Sequence, residues 1–171
     1  MAVATLKPGD VFTIPLGDGR FGLGQAVDVG RHDSVYMVVF DAVLADESEI
    51  VDLAELVATA KFLLATWASS VQVEIGRWKV LGRVPAREDF PRPAFKVAIG
   101  GPRNVHVEDW AMMRRRPATP EEVARLPFRS SFSAMAVESA LKGVLGLGPK
   151  LEGDEDMYME GPTTQEMFGD E

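Results

Sequence analysis

Imidazole and carboxylate groups are the first candidates for chemistry in this chain of 171 residues, whose two histidines are His32 and His106. His106 and Glu108 are two residues apart in an alternating segment, so they would share one strand face and could supply two metal ligands. A zinc site needs three or four ligands, and no further His, Asp or Glu is spaced to complete the set. The sequence therefore predicts no metal and no other cofactor.

A second candidate is nucleophilic catalysis by a serine hydroxyl. His106 and Asp109 could form a triad with one of three serines, which are Ser130, Ser131 and Ser133. No nucleophile-elbow sequence surrounds these serines, and helix capping explains them better. The pattern gives no support to a serine hydrolase, and we expect no catalytic residue.

A glycine pattern near the start resembles a nucleotide-binding loop. Gly17, Gly19 and Gly22 match G-x-G-x-x-G, but that motif needs a helix directly after it. Residues 21–27 alternate like a strand instead. We therefore interpret Gly17-Asp18-Gly19 as the tight turn of a β-hairpin, because glycine adopts positive φ without a steric penalty.

The elements that would position such residues are mainly strands. In the first strand Phe12, Ile14 and Leu16 share one apolar face, and Trp78 shares a face with Val80. The alternation predicts strands over 11–16, 21–27, 35–40, 62–67, 78–84, 95–99 and 105–110, of which 105–110 is the last.

Three helices are predicted around and after these strands. Residues 50–60 have the composition of a helix. Thr119-Pro120-Glu121-Glu122 combines an N-cap threonine, a proline at the first helical position and a glutamate at the third, so a helix begins there and carries Leu126 toward the sheet. A third helix runs from Ser133 to Leu145, where glycines end it.

Together these elements predict a mainly β, α+β fold. We expect a strongly bent antiparallel sheet over 10–110, or a small SH3-like, partly closed barrel, with the helices of 119–147 packed outside it. The length fits a single domain over 1–148. Residues 149–171 form an acidic tail, which is either solvated or docks on a partner.

The opening hairpin also carries a family resemblance, together with two later stretches. The residues concerned are Gly-Asp-Val-Phe-Thr-Ile-Pro-Leu from Gly9, the run from Asp18 to Gly24, the strand from Tyr36 to Asp41, and Gly76-Arg77-Trp78-Lys79-Val80-Leu81-Gly82. In order and spacing this set resembles the immunity protein 26 family of bacterial polymorphic toxin systems, over about residues 7–97. The resemblance implies a protein that binds and neutralises a cognate toxin without catalysis.

Composition excludes several other classes of protein. The chain has no cysteine, which fits a reducing compartment, and no apolar run long enough to cross a membrane, so we expect a cytoplasmic protein. The carboxylates Asp46, Glu47 and Glu49 lie in a polar connection, where they are too solvated to act as a tuned general acid. Residues 151–171 hold eight acids and no base, so the rest of the chain is neutral and unlike a nucleic-acid binder.

Partner contacts are expected in two stretches. Trp110 lies beside two methionines and an arginine run, a composition typical of interface hot spots. The tail mixes acids with apolar anchors and could steer a basic toxin toward the protein. The residues expected to contact a partner are Trp110, Arg114, Asp154, Glu155, Asp156 and Tyr158.

Two alternatives to toxin neutralisation stay open at this point. One is a β-barrel module that binds a small molecule, and the other is an enzyme whose site has no recognisable motif. The sequence leaves the oligomeric state open. A toxin domain encoded directly upstream would favour the immunity function.

Overall fold

A computed structural model describes residues 5–30, 34–49 and 51–169, with nine strands and five α-helices in these ranges. The chain divides into two compact units. The larger unit consists of residues 1–90 and 131–158, and the smaller unit consists of residues 91–130 and 159–171. Each is described by itself below.

The larger unit contains a six-stranded sheet. Its strands are β1 (Asp10–Pro15), β2 (Phe21–Val29), β3 (Ser34–Leu44), β4 (Phe62–Ser69), β5 (Val80–Arg83) and β9 (Ser131–Phe132). The order across the sheet is β5-β1-β2-β3-β4-β9. Neighbouring strands are antiparallel, except that β9 runs parallel to β4.

The predicted hairpin at the start of the chain is confirmed. Gly17 and Gly19 both have positive φ, of 87° and 89°, in the turn between β1 and β2. Phe12 pairs with Gly24 across the two strands, and a Cβ at Gly24 would lie 2.7 Å from the Phe12 ring. The Phe12 ring therefore packs directly on the backbone at Gly24, where the side chain of any other residue would collide with it.

Three helices belong to the larger unit, namely α1 (Leu53–Thr59), α2 (Val71–Glu74) and α4 (Ala134–Val144). Asp52 caps α1 by accepting the N–H groups of Ala54 and Glu55. Ser133 caps α4 by accepting the N–H of Ala136, as the sequence predicted.

Both faces of the sheet are buried. On one face Phe12, Ile14 and Leu64 pack with Val137 and Leu141 of α4. On the other face the Tyr36 ring contacts that of Phe90, with ring centroids 6.2 Å apart, and Leu53 of α1 lies against Gly82. A sheet covered on both sides needs apolar residues at successive positions, which explains the continuous apolar run of β3.

The smaller unit is built on a second sheet with the order β6-β7-β8. Its elements are β6 (Phe95–Ala98), β7 (Val105–Glu108), β8 (Arg115–Pro117), α3 (Pro120–Arg125) and α5 (Thr164–Phe168). The capping box Thr119–Glu122 at the start of α3 is confirmed. A small apolar cluster is formed by Ala94, Val107 and Leu126, with Met167 packed against it.

Several expectations need correction. The barrel is not confirmed, because β5 and β9 stand at opposite ends of an open sheet in the described part of the chain. Residues 105–110 are not the last strand, since β8 and β9 follow. Trp78 is buried as expected, but it precedes β5 rather than lying in it, and Val80 on this edge strand is 42% exposed. Leu126 packs in the smaller unit rather than on the first sheet.

The acidic segment is folded over most of its length. Residues Asp154–Met157 form a 3₁₀ turn, and Thr164–Phe168 form α5 behind a second capping box. The Met157 side chain is fully buried in the core beneath α4. The predicted division into a single domain over 1–148 and an acidic tail over 149–171 stays a prediction.

Replacing Phe12 with Ala should lower the free energy of unfolding by about 3 to 5 kcal/mol, because the ring is fully buried and stacked on Trp78. Urea unfolding measures this change. The half-exposed ring of Phe128 gives a matched control, for which the same truncation should cost less than half as much. If Phe12→Ala lowers the free energy of unfolding by less than about 1 kcal/mol, this ring is not part of the core.

Candidate functional site

The first predicted contact region is the turn that joins β7 to β8. Asp109 is buried, and its Oδ1 accepts the backbone N–H groups of Met113 at 2.7 Å and of Arg114 at 3.1 Å. Met112 adopts a left-handed φ of 61°, which a residue other than glycine rarely does. This anchoring holds Met113 out of the turn with 84% of its surface exposed.

Trp110 and Arg114 are brought together in this turn. The backbone N–H of Trp110 donates to Thr164 Oγ1 at 3.0 Å. The Arg114 guanidinium contacts Asp109 Oδ2 at 3.4 Å and lies 5.0 Å from the centre of the Phe168 ring. Both residues are partly buried, so much of each side chain supports the smaller unit itself.

The arginine run 114–116 is neutralised within the smaller unit. Arg115 pairs with Glu108, which is completely buried and is also 3.2 Å from Arg129 Nε. Arg116 donates to both carboxylate oxygens of Glu122. A buried carboxylate needs such partners, because an unpaired charge in the interior is strongly destabilising. The run is therefore a set of internal ion pairs rather than a basic surface.

The second predicted contact group lies in the larger unit. Asp154 is buried and its Oδ2 accepts the N–H of Leu151, while Glu155 accepts the N–H of Gly153. Burial raises the pKa of Tyr158, with help from the charges of Asp154 and Glu155. The six predicted residues thus form two groups, one in each unit, and Asp154 has a structural function.

The described residues do not assemble the metal site or the serine triad that were considered from the sequence. Among residues 5–30, 34–49 and 51–169, no three His, Asp or Glu side chains are placed to hold a metal ion. Ser133 caps α4, and Asp109 is bound to its own turn rather than to His106. His32 lies outside the described residues. No helix in these ranges has the length and apolar character needed to span a bilayer.

A surface that sequence reasoning missed surrounds α2. Val71, Ile75 and Met135 expose 42%, 67% and 43% of their surface. Arg77, two residues after Ile75, donates to Glu138 Oε1 at 2.8 Å and contacts the Met135 sulfur at 3.2 Å. We call Val71, Ile75, Arg77 and Met135 the Ile75 surface. The four-residue spacing of Val71 and Ile75 was the available signal, but a helix as short as α2 leaves little periodicity to detect.

Charge is distributed differently between the two units. The larger unit holds 18 acidic and 10 basic residues, and the smaller unit holds eight of each, so the net charge of −8 belongs to the larger unit. Much of it lies between residues 41 and 55, where six acids occur without a base. Hydrogen bonds from Ser48 lower the pKa of Asp46, which keeps this carboxylate ionised.

The comparisons with known proteins add the decisive observation. The profile of a family described as Immunity protein 26 matches residues 7–101, which is more than half of the chain. The chain belongs to the immunity protein 26 family. The match covers β1 to β6 and three of the four residues of the Ile75 surface. No curated relative and no solved structure matches this immunity protein 26 sequence significantly.

The ion pair between Arg116 and Glu122 at the start of α3 should make the stability of the protein depend on pH. Hydrogen bonds from the Arg116 guanidinium, with the N–H of Thr119, lower the pKa of Glu122 to about 2. The pKa of Glu122 in the folded protein is thus below its ordinary value of 4.5. The ionised carboxylate therefore stabilises the fold fully above pH 4.5, and this stabilisation is lost as the pH falls through 2.

Glu122→Gln should therefore destabilise the protein at pH 7 by on the order of 1 kcal/mol, and this difference from wild type should vanish between pH 4.5 and 2. Urea unfolding at pH 7, 4 and 2 measures it. The exposed Glu121→Gln is the control and should change little at any pH. A wild-type to Glu122→Gln difference that stays constant over this range would contradict the assigned ion pair.

Proposed function

We propose that this protein binds a cognate bacterial polymorphic toxin and neutralises it, without catalysis of its own. Membership of the immunity protein 26 family is the observation that carries the proposal. Inhibition by binding requires a stable surface and no catalytic group. The paired arginines and buried carboxylates described above are consistent with that requirement.

We further propose that the protein acts in the cytoplasm, on a toxin made by the same or a neighbouring cell. The absence of cysteine agrees with a reducing compartment. Candidate toxin contacts are the residues expected from the sequence, which are Trp110, Arg114, Asp154, Glu155, Asp156 and Tyr158. The net charge of −8 on the larger unit would accelerate association with a basic toxin.

The direct test needs a candidate toxin, and a toxin domain encoded directly upstream of the gene for this protein would be the first choice. Expression of that domain in a bacterial host should stop growth, and co-expression of this protein should restore it. The purified pair should form a stoichiometric complex on size exclusion. If growth stays arrested and no complex forms, the protein is not the immunity partner of that toxin.

Electrostatic steering of the toxin by the acidic residues 149–171 is tested by changing their charge rather than by removing them. Truncation after Lys150 would remove the buried Met157 and disturb the core, so a loss of binding would be ambiguous. Glu152 and Glu155 are exposed, and changing both to Gln should lower the association rate about threefold at low salt.

The salt dependence of the association rate shows whether the effect of these charges is electrostatic steering. At high salt the association rates of wild type and of the Glu152→Gln, Glu155→Gln variant should converge, because screening removes long-range attraction. Glu121→Gln, an exposed charge in the smaller unit, is the control. An unchanged association rate for the double variant at low salt would show that this segment does not steer the toxin.

A further inference from the structure

We propose that the toxin docks on the Ile75 surface of the larger unit, and that the toxin presents basic groups around an apolar contact. This inference rests on the proposed function and adds to it a location and a chemistry for the partner. Neither Ile75 nor Arg77 was among the contacts expected from the sequence.

Three of the four residues of the Ile75 surface are apolar and exposed. Val71 and Ile75 are one helical turn apart, with Ile75 N–H donating to Val71 O at 3.1 Å, so their side chains emerge together. Met135 joins them through its contact with Arg77. Single exposed apolar residues are ordinary, but a group of three with an arginine among them is typical of the centre of a protein interface.

Arg77 is held in place before any partner arrives. Its guanidinium is fixed by Glu138, a buried carboxylate that also binds Lys142 Nζ at 2.8 Å. Gly76, with φ of 75°, makes the turn that directs Arg77 toward α4 while Trp78 enters the core. Because this side chain has already lost its rotamer freedom, a partner gains its contacts at low entropic cost.

The charge of the larger unit favours a basic partner. That unit carries a net charge of −8. Its exposed acids include Asp41, Asp46, Glu47, Glu49, Asp52 and Glu55 in the stretch 41–55. Lys79, two residues after Arg77, pairs with Glu47 of this stretch. A negatively charged unit with an exposed apolar group fits a toxin whose contact surface carries lysine or arginine.

The same charge argues against a second copy of this chain as the occupant. Two copies meeting through their Ile75 surfaces would bring two units of charge −8 toward each other. Like charges across an interface disfavour association. A basic partner is therefore favoured over self-association.

The apolar contact is tested by affinity measurements with the purified toxin domain encoded beside the gene. Ile75→Ala should weaken binding at least tenfold, and Val71→Ala about threefold. The matched control is Phe128→Ala, which removes a ring 54% exposed in the smaller unit and should stay within twofold of wild type. Unfolding curves should show Ile75→Ala as stable as wild type, since its side chain is largely exposed.

The charge of the toxin is tested by association rates. Glu47→Gln combined with Glu55→Gln should slow association about threefold at low salt and leave it unchanged at high salt. Faster association of this double variant would show that the toxin surface is acidic and would overturn the proposed chemistry.

The remaining outcomes separate this inference from the proposed function. Wild type and Ile75→Ala could bind the toxin equally well while Met113→Ala does not bind it. In that case the proposed function stands and the proposed docking surface is wrong. If wild type does not bind the toxin, both fail. A free protein that forms a dimer dissociated by Ile75→Ala would also overturn the inference, because the surface would then serve a second copy.

Discussion

The stack of Phe12 on Trp78 is the contact on which the rest of the larger unit depends. The two rings lie 5.4 Å apart at an interplanar angle of 6°, and both are buried. The stack joins the first strand to the segment around Gly76, and it requires Gly24 opposite Phe12 because any Cβ there would meet the ring. Since Arg77 directly precedes Trp78, the packing of the core also decides where Arg77 and Ile75 stand on the surface.

Buried carboxylates are the second constraint. Asp10, Glu108, Asp109 and Glu138 are all buried, and each pairs with at least one arginine. Such pairs add little net stability compared with apolar residues, but the loss of one partner is costly, so they fix side chains in a single arrangement. They also occupy many of the arginines. The larger unit holds 18 acidic and 10 basic residues, and this excess of acids is the property that would select a basic toxin.

The sequence predicted the elements whose signals are local. The hairpin at Gly17-Asp18-Gly19 and the capping box at Thr119 depend on a few adjacent residues, and both are confirmed. The division into two units, the short strand β9 and the ion pairs of the arginine run depend on residues far apart in the chain, so no local pattern indicates them. Val80 was misplaced because β5 begins only at Val80 and is an edge strand, so the alternation predicted for 78–84 does not run through Trp78. Ile75 was missed because its exposure is a tertiary property.

The most direct test of this account is hydrogen–deuterium exchange of the full chain, with and without the toxin domain encoded beside its gene. Exchange reports which backbone amides become protected on binding, and it requires no substitution. The account predicts new protection in residues 70–79 and 133–138, which carry Ile75, Arg77 and Met135. Protection confined to residues 109–116, around Trp110 and Met113, would contradict docking on the Ile75 surface and favour the contacts expected from the sequence.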